Sequence, residues 1–426
     1  MVKSTDAPSY YTATATAAPK HNRLEGEVVA DVCIVGAGYT GLSAAIELAA
    51  AGYRTVVIEA ETVGYGASGR NGGQICTGFS SGQAKIEAQL GKADARKAFA
   101  MAEESKALLT DRIERHDIDC DLRWGYLHTI TKPSHQDELK AWKGELDDLG
   151  VAGTSLLSKA ELEEKLGSRI YHGAMREQGA GHLHPLNYCL GLARAATAAG
   201  ATIHENSQVL SIDSGRSPVA RTARGSVRAK FLILAGNAYL GRTVPKLYGR
   251  VMPVGSYIIA TEPLGENRAR ALIRDGEAVA NTNFIVDYFR LTSDTRMLFG
   301  GRASYSTLEP PNLGAYMRPR MTTVFPQLAD VKIDYAWGGY IAITSNRIPD
   351  CGRLSPTTYY AHGYSGQGVA LAGLYGKLMA EAIRGQAERF DLLAQFRHLP
   401  FPGGPMMRTP LLVAAMTYFR IRDALS

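Results

Sequence analysis

The chain has 426 residues, 47 Lys+Arg against 41 Asp+Glu, and a formal net charge of +6. So mild a balance, with no basic run, excludes a dedicated nucleic-acid binder, and 45% apolar with 21% charged residues exclude wholesale disorder. The length predicts two or three domains, and no apolar run approaches the about 20 residues that span a bilayer.

Residues 1–27 read as an arm that docks through Tyr10 and Tyr11. They lack the apolar core of a secretory signal and the arginines of a transit peptide. Residues 30–35 (ADVCIV) form an apolar run entering a Gly turn, 42–52 a helix closed by Gly52, and 55–59 (TVVIE) a second β-branched run. That order is a βαβ unit. A Gly-dense loop over 64–74 follows, then a helix over 83–117, a strand over 126–131 and a helix over 134–150. A further helix is expected over 187–199, with strand runs near 202–203, 208–212 and 230–235. Between 251 and 340 short runs alternate with turns, Ser293–Arg296 among them, and predict a mostly antiparallel sheet. Tyr359–Ala361 then leads into a third Gly loop over 363–368 and a helix over 369–384.

The chain has 45 glycines, above the usual ~7%, and the excess clusters in those three loops. In Gly36-x-Gly38-x-x-Gly41, Gly36 permits a tight turn, Gly38 lets backbone approach a pyrophosphate, and Gly41 lets helix and strand pack closely. The helix N-terminus supplies unpaired N–H groups to phosphates, and Glu59, closing the second strand, accepts ribose hydroxyls. NAD and FAD both satisfy this pattern. The two additional Gly loops favour FAD, which needs backbone donors along its length, and a helix starting at Gly368 directs its positive end at a flavin edge.

VCIVGAGYTGLSAAIELAAAGYRTVVIEA (32–60), GASGRNGGQ (66–74), FLILAGNAYL (231–240) and YYAHGYSGQGVALAG (359–373) resemble the D-amino-acid-oxidase and glycine-oxidase family of flavoenzymes over nearly the whole chain. The resemblance implies an α/β, two-domain FAD-dependent oxidoreductase: a Rossmann-like FAD domain of discontinuous segments (28–82, 155–250, 341–390), a substrate domain with a mixed, largely antiparallel sheet (83–154, 251–340), and a C-terminal extension over 391–426. It implies FAD contacts at Gly36, Gly38, Tyr39, Thr40, Gly41, Glu59, Ala60, Gly66, Ala67, Ser68, Arg70, Asn71, Gly72, Gly73, Gln74, Val209 (beside Gln208), Ala235, Gly236, Gly366, Gln367, Gly368 and Val369. Within the family, SYYTAT, AGNAYLG, VDYFRLTSDTRMLFGG, FPQLADVKIDYAWGG and RHLPFPGG are most similar to the branch that oxidises gamma-glutamylated amines such as gamma-glutamylputrescine.

Gly181-His182-Leu183-His184-Pro185 lacks a carboxylate or Cys partner at metal spacing, so a structural loop and no metal are expected. Cys351 lies too near the third Gly loop to match the cysteine that attaches flavin in some relatives, so FAD is expected to be non-covalent. Gly363-Tyr364-Ser365-Gly366-Gln367 breaks the nucleophile-elbow pattern at its fifth position. The stretch from Leu411 to Arg422, with Arg408 and Arg420, reads as an amphipathic helix packed on its own domain. The five scattered cysteines (Cys33, Cys76, Cys120, Cys189, Cys351) predict a reduced, cytoplasmic protein.

Glycine oxidases carry an Arg that grips the substrate α-carboxylate ahead of a turn matching Arg347–Gly352, and Tyr340-Ile341 stand in its place here. The missing clamp predicts a small-molecule amine rather than an α-amino acid as substrate, with O2 as electron acceptor and no single side chain as obligatory base. Tyr288 and Arg290 share one strand face, opposite Asp287 and Phe289, and with Arg302 and Tyr305 are expected to meet the polar glutamyl head; Tyr257 and Trp337 are expected to wall the amine chain.

Overall fold

A computed structural model describes residues 8–283, 285–304, 310–402, 410, 413 and 414, with side chains except over 302–304. The side chain of Arg302, Tyr305, and Arg408, Arg420 and Arg422 with all of the expected helix but residues 413 and 414 lie outside the described residues.

The alternation of Val32, Cys33, Ile34 and Val35 explains the central layer. Val32 and Ile34 enter one apolar cluster, Cys33 and Val35 another, so both faces of the strand are buried. The sheet has six strands in the order Asp350–Ser355, Thr358–His362, Phe231–Leu234, Val32–Val35, Thr55–Ile58, Thr202–His204. The last five run parallel, and the first is an antiparallel edge. On one face lie helices Tyr39–Ala50, Pro185–Ala198 and Gly368–Ile383. Helices Tyr39–Ala50 and Gly368–Ile383 touch backbone to backbone: a Cβ on Gly376 would collide with the Thr40 oxygen, and the Ser43 hydroxyl donates to Gly373 O. The other face is covered by a four-stranded sheet of Gly26–Val29, Gly225–Arg228, Val219–Arg221 and Ser211–Asp213.

A nine-stranded sheet forms the second layer system. Its order is Ile333–Thr344, Val251–Thr261, Met297–Ser304, Tyr288–Leu291, Ala278–Asn281, Arg123–Ile130, Gly173–His182, Gln74–Ile75, with Thr154–Leu157 also on Gly173–His182. The pairing is antiparallel except between Ala278–Asn281 and Arg123–Ile130, so the mixed, largely antiparallel sheet is observed. Helices Glu266–Leu272 and Leu313–Val324 pack on it with Phe289 and Phe299.

Three details differ from the sequence reading. The helix over 83–117 is two helices, Gln83–Leu90 and Lys92–Arg115, broken where Gly91 takes φ 76°. In place of short runs broken by turns, the chain near 340 forms one strand, Ile333–Thr344, because Gly338 and Gly339 stay paired with Tyr257 and Ser256. Thr154–Leu157 and Gly173–His182 join the nine-stranded sheet, although the sequence division places 155–250 with the nucleotide layer.

Candidate active site

The three Gly loops converge because each follows a neighbouring strand of the parallel sheet at its C-terminal edge. Gly36 follows Val32–Val35, Glu59 follows Thr55–Ile58, Ala235 follows Phe231–Leu234, and Gly363 follows Thr358–His362. Open α/β sheets bind ligands in that crevice. Gly36 takes φ 108°, and a Cβ on it would stand 2.8 Å from Ala235 O. A Cβ on Gly41 would collide with Gly36 O, and one on Gly38 would lie 2.8 Å from Ser68 Oγ. Tyr39 N–H donates to that same Ser68 Oγ at 3.1 Å.

Glu59 braces the first loop. Its Oε2 accepts Ala37 N–H at 2.8 Å and its Oε1 accepts Glu61 N–H at 3.1 Å, beside Ala60. Burial raises the carboxyl above its ordinary range, against those backbone donors. Each oxygen keeps a lone pair for a hydroxyl donor. Thr40 and Tyr364 hydroxyls bond at 2.7 Å, joining the first loop to the third. Asn237, which the sequence reading did not single out, accepts Gly363 N–H at 3.0 Å and ties the Ala235-Gly236 turn to it. Val209 is buried in the apolar cluster behind the sheet, and Gln208 beside it is exposed.

The second loop is held from within. Asn71 Nδ2 donates to Ala67 O at 2.9 Å and Ser68 O at 3.2 Å, while its Oδ1 accepts Gly73 N–H at 2.7 Å. Arg70 Nε donates to Tyr65 O at 2.8 Å, and its guanidinium lies 4.9 Å from the Tyr65 ring centre. Tyr239 packs on Gly66, and Tyr288 on Gly72, with Gln74 Oε1 also 2.9 Å from where a Gly72 Cβ would be.

Two features mark this crevice as a place for a polar ligand. The helices Tyr39–Ala50 and Gly368–Ile383 have no side-chain cap at Gly38 or Gln367, so their positive ends face the crevice with N–H groups to spare. Gln367 Oε1 is buried without a partner among the described residues, and Gly366, at φ 98°, borders open space ahead of Val369. The arrangement fits a long molecule with a pyrophosphate and a ring system.

Several expected substrate contacts are elsewhere. Arg290 is 1% exposed and spends its donors inside the protein, on Gly72 O at 2.8 Å, Leu183 O at 3.1 Å, Leu291 O at 3.2 Å and Tyr11 OH at 3.3 Å. It is a latch between the N-terminal arm and the second loop, not a free clamp. Trp337 is fully buried and donates its Nε1–H to Arg70 O at 3.1 Å. Tyr257 sits in the core with Phe289 and Phe299. Tyr288 keeps an intermediate position, its hydroxyl 3.4 Å from Ser256 Oγ. The docking of Tyr10 and Tyr11 is observed: both are buried, and Tyr10 OH donates to Asp294 at 2.7 Å.

His182 is structural, its Nε2–H donating to Gly276 O at 2.9 Å. Burial, followed by the Arg290 charge, pushes it down to about 3. His184 caps the helix Pro185–Ala198, its Nδ1 accepting Asn187 N–H at 3.1 Å, and is lowered to about 4 by the same two causes. No group of metal-ligating side chains occurs among the described residues. Cys351 is buried, and burial raises its thiol well above the ordinary range.

Comparison with known proteins agrees with this geometry. The family described as FAD dependent oxidoreductase matches residues 31–382. Gamma-glutamylputrescine oxidoreductase of Escherichia coli is 42% identical over 418 residues, covering 98% of each chain. Glycine oxidase of Bacillus licheniformis is 25% identical over 86% of this chain and 96% of its own. The glycine oxidase structure from Geobacillus kaustophilus superposes with a TM-score of 0.73 at 24% identity, over 87% of this chain and 100% of that one. This chain therefore belongs to the FAD-dependent oxidoreductase family, and its cofactor is FAD.

Proposed function

We propose that the chain oxidises the free primary amine of gamma-glutamylputrescine, or a related gamma-glutamyl amine, to an aldehyde. Water supplies the carbonyl oxygen, ammonia leaves, and O2 accepts the two electrons as H2O2. The observation that carries this reading is the pair Tyr340-Ile341, which stands where an α-carboxylate clamp would be needed. Tyr340 N–H donates to Tyr239 OH at 3.3 Å and its ring meets Tyr239 edge-on, so aromatic side chains flank this position. The likeness to gamma-glutamylputrescine oxidoreductase over 98% of both chains supports the same substrate.

Bound FAD supplies the two-electron acceptor. Gly36 to Gly41 and the N-terminus of helix Tyr39–Ala50 would hold its pyrophosphate, Glu59 with Ala60 its ribose, and Gly66 to Gln74 with Gly366 to Val369 its ring system. The uncapped end at Gln367 places partial positive charge where reduction builds negative charge. Non-covalent attachment is consistent with the five free cysteines, of which Cys33, Cys120, Cys189 and Cys351 are buried, because a buried neutral thiol is a poor nucleophile. Those thiols also suit a cytoplasmic setting, and among the described residues no helix is long and apolar enough to cross a membrane.

The test is steady-state H2O2 production with gamma-glutamylputrescine, putrescine, glycine, sarcosine and D-alanine. The glutamylated amine should give the highest kcat/KM. A win for sarcosine or an amino acid refutes the clamp argument, and flavin reduction without H2O2 assigns a dehydrogenase.

A further inference from the structure

Two cavities abut beside the crevice, and neither is lined by the residues discussed above except Gln367. The smaller, about 250 Å³, is lined by Thr77, Ser80, Gln83, Trp142, Glu145 and Gln367. The larger, about 420 Å³, is lined by Arg96, Glu103 and Lys106. Phe99 and Leu149 line both, so the two spaces are neighbours. Gln367 belongs to the third Gly loop, and Ser80 hydroxyl donates to Ser365 O in that loop at 3.1 Å, so the smaller cavity borders the proposed flavin ring site.

The polar groups follow a pattern. Gln83 is 7% exposed, yet its Nε2 has no partner among the described residues, and neither has Gln367 Oε1. Buried donors and acceptors in native proteins are normally paired, so a polar ligand is the natural complement of both. Burial, then the charge of Glu87, raises the Glu145 carboxyl, and an ammonium held against it would favour the charged form. Trp142 adds an aromatic face for the same cation. In the larger cavity, Lys106 is fixed by Glu103 at 2.6 Å and Thr77 at 2.6 Å. Arg96 is exposed and has no partner among the described residues. Arg96 and Glu103 lie seven residues apart on helix Lys92–Arg115, hence on one face. Arg96 offers a cation for a carboxylate, and Glu103, which holds Lys106 and accepts Gly78 N–H at 3.2 Å, keeps lone pairs for an ammonium.

We propose that the two cavities form one substrate site: the larger takes a zwitterionic amino-acid head at Arg96 and Glu103, and the smaller takes an amide carbonyl at Gln83 and the free amine at Glu145 and Gln367. This deepens the functional reading above and rests on it. It also moves the head site from Arg290 to helix Lys92–Arg115.

The test compares gamma-glutamylputrescine with N-acetylputrescine, which keeps the amide and amine but lacks the zwitterionic head. Arg96→Ala and Arg96→Glu should lower the kcat/KM preference for the glutamylated amine about tenfold or more, as loss of a charged hydrogen-bond partner requires. Glu145→Gln should lower kcat/KM for both amines. An unchanged preference in both Arg96 variants overturns the head site, and an unchanged Glu145→Gln overturns the amine site. Flavin absorbance reports that each variant is folded and loaded. If the wild type turns over neither amine, the functional reading fails. Calorimetric titration with gamma-glutamylputrescine then still decides the site, since Arg96→Glu weakens binding only if the head lies there.

Discussion

A Cβ on Gly41 would collide with the Gly36 carbonyl oxygen, and one on Gly36 would press on Ala235. Gly41→Ala therefore separates helix Tyr39–Ala50 from its strand, and the purified variant should carry little flavin per protein chain by absorbance. His182 makes a prediction of another kind. It is neutral in the fold, with a pKa lowered to about 3 by burial and then by Arg290. The unfolded chain takes up a proton below about 6.5, so this contribution to stability is present above that pH and lost as pH falls toward 3. Roughly 2 kcal/mol should be gone by about pH 5 from this group. His184, lowered to about 4, acts in the same direction. His182→Asn should thus show a smaller drop in melting temperature between neutral pH and about pH 5 than the wild type, and an equal drop would contradict this account.

At the scale of elements, the second Gly loop is legible in sequence but its support is not. GASGRNGGQ marks a flexible segment, yet Arg290, 218 residues on, sets its position through Nε on Gly72 O, and its Nη2 holds Leu183, whose own N–H donates to Gly73 O. Strand period correctly put Tyr288 and Arg290 on one face, toward Gly72. It could not say that the guanidinium was already spent, because donors are satisfied by backbone oxygens that no sequence pattern displays. Arg290→Met leaves those buried oxygens unpaired and should cost about 1–3 kcal/mol of stability with a clear loss of flavin affinity, read by flavin titration of the apoprotein. Tyr11→Phe removes one acceptor of the same cation and should cost less. Helix Lys92–Arg115 shows the complementary difficulty. Its charge pairs at helical spacing support a helix, but spacing does not reveal that Arg96, Glu103 and Lys106 border a cavity.

For the whole molecule, the nucleotide layer was readable because local physics dictates it. Continuous apolar strands, tight Gly turns and a closing acid leave few alternatives to a parallel sheet buried on both faces. The nine-stranded sheet was readable only as a class. Its pairing of Ala278–Asn281 with Arg123–Ile130 and its recruitment of Gly173–His182 join segments far apart in sequence, where turn signals are silent. The four-stranded sheet over the nucleotide layer was missed because strands of three or four residues carry too little periodicity. One global property follows from the buried thiols: acid precipitation should release all the yellow colour into the supernatant, and flavin retained in the pellet would contradict non-covalent binding.

The most direct measurement is anaerobic mixing of the flavin-loaded protein with gamma-glutamylputrescine, glycine and D-alanine while the flavin band is followed. Rapid bleaching by the glutamylated amine, with at least tenfold slower reduction by either amino acid at equal concentration, is the result predicted by a site that lacks a carboxylate clamp. Bleaching by an amino acid at the same rate or faster would contradict it.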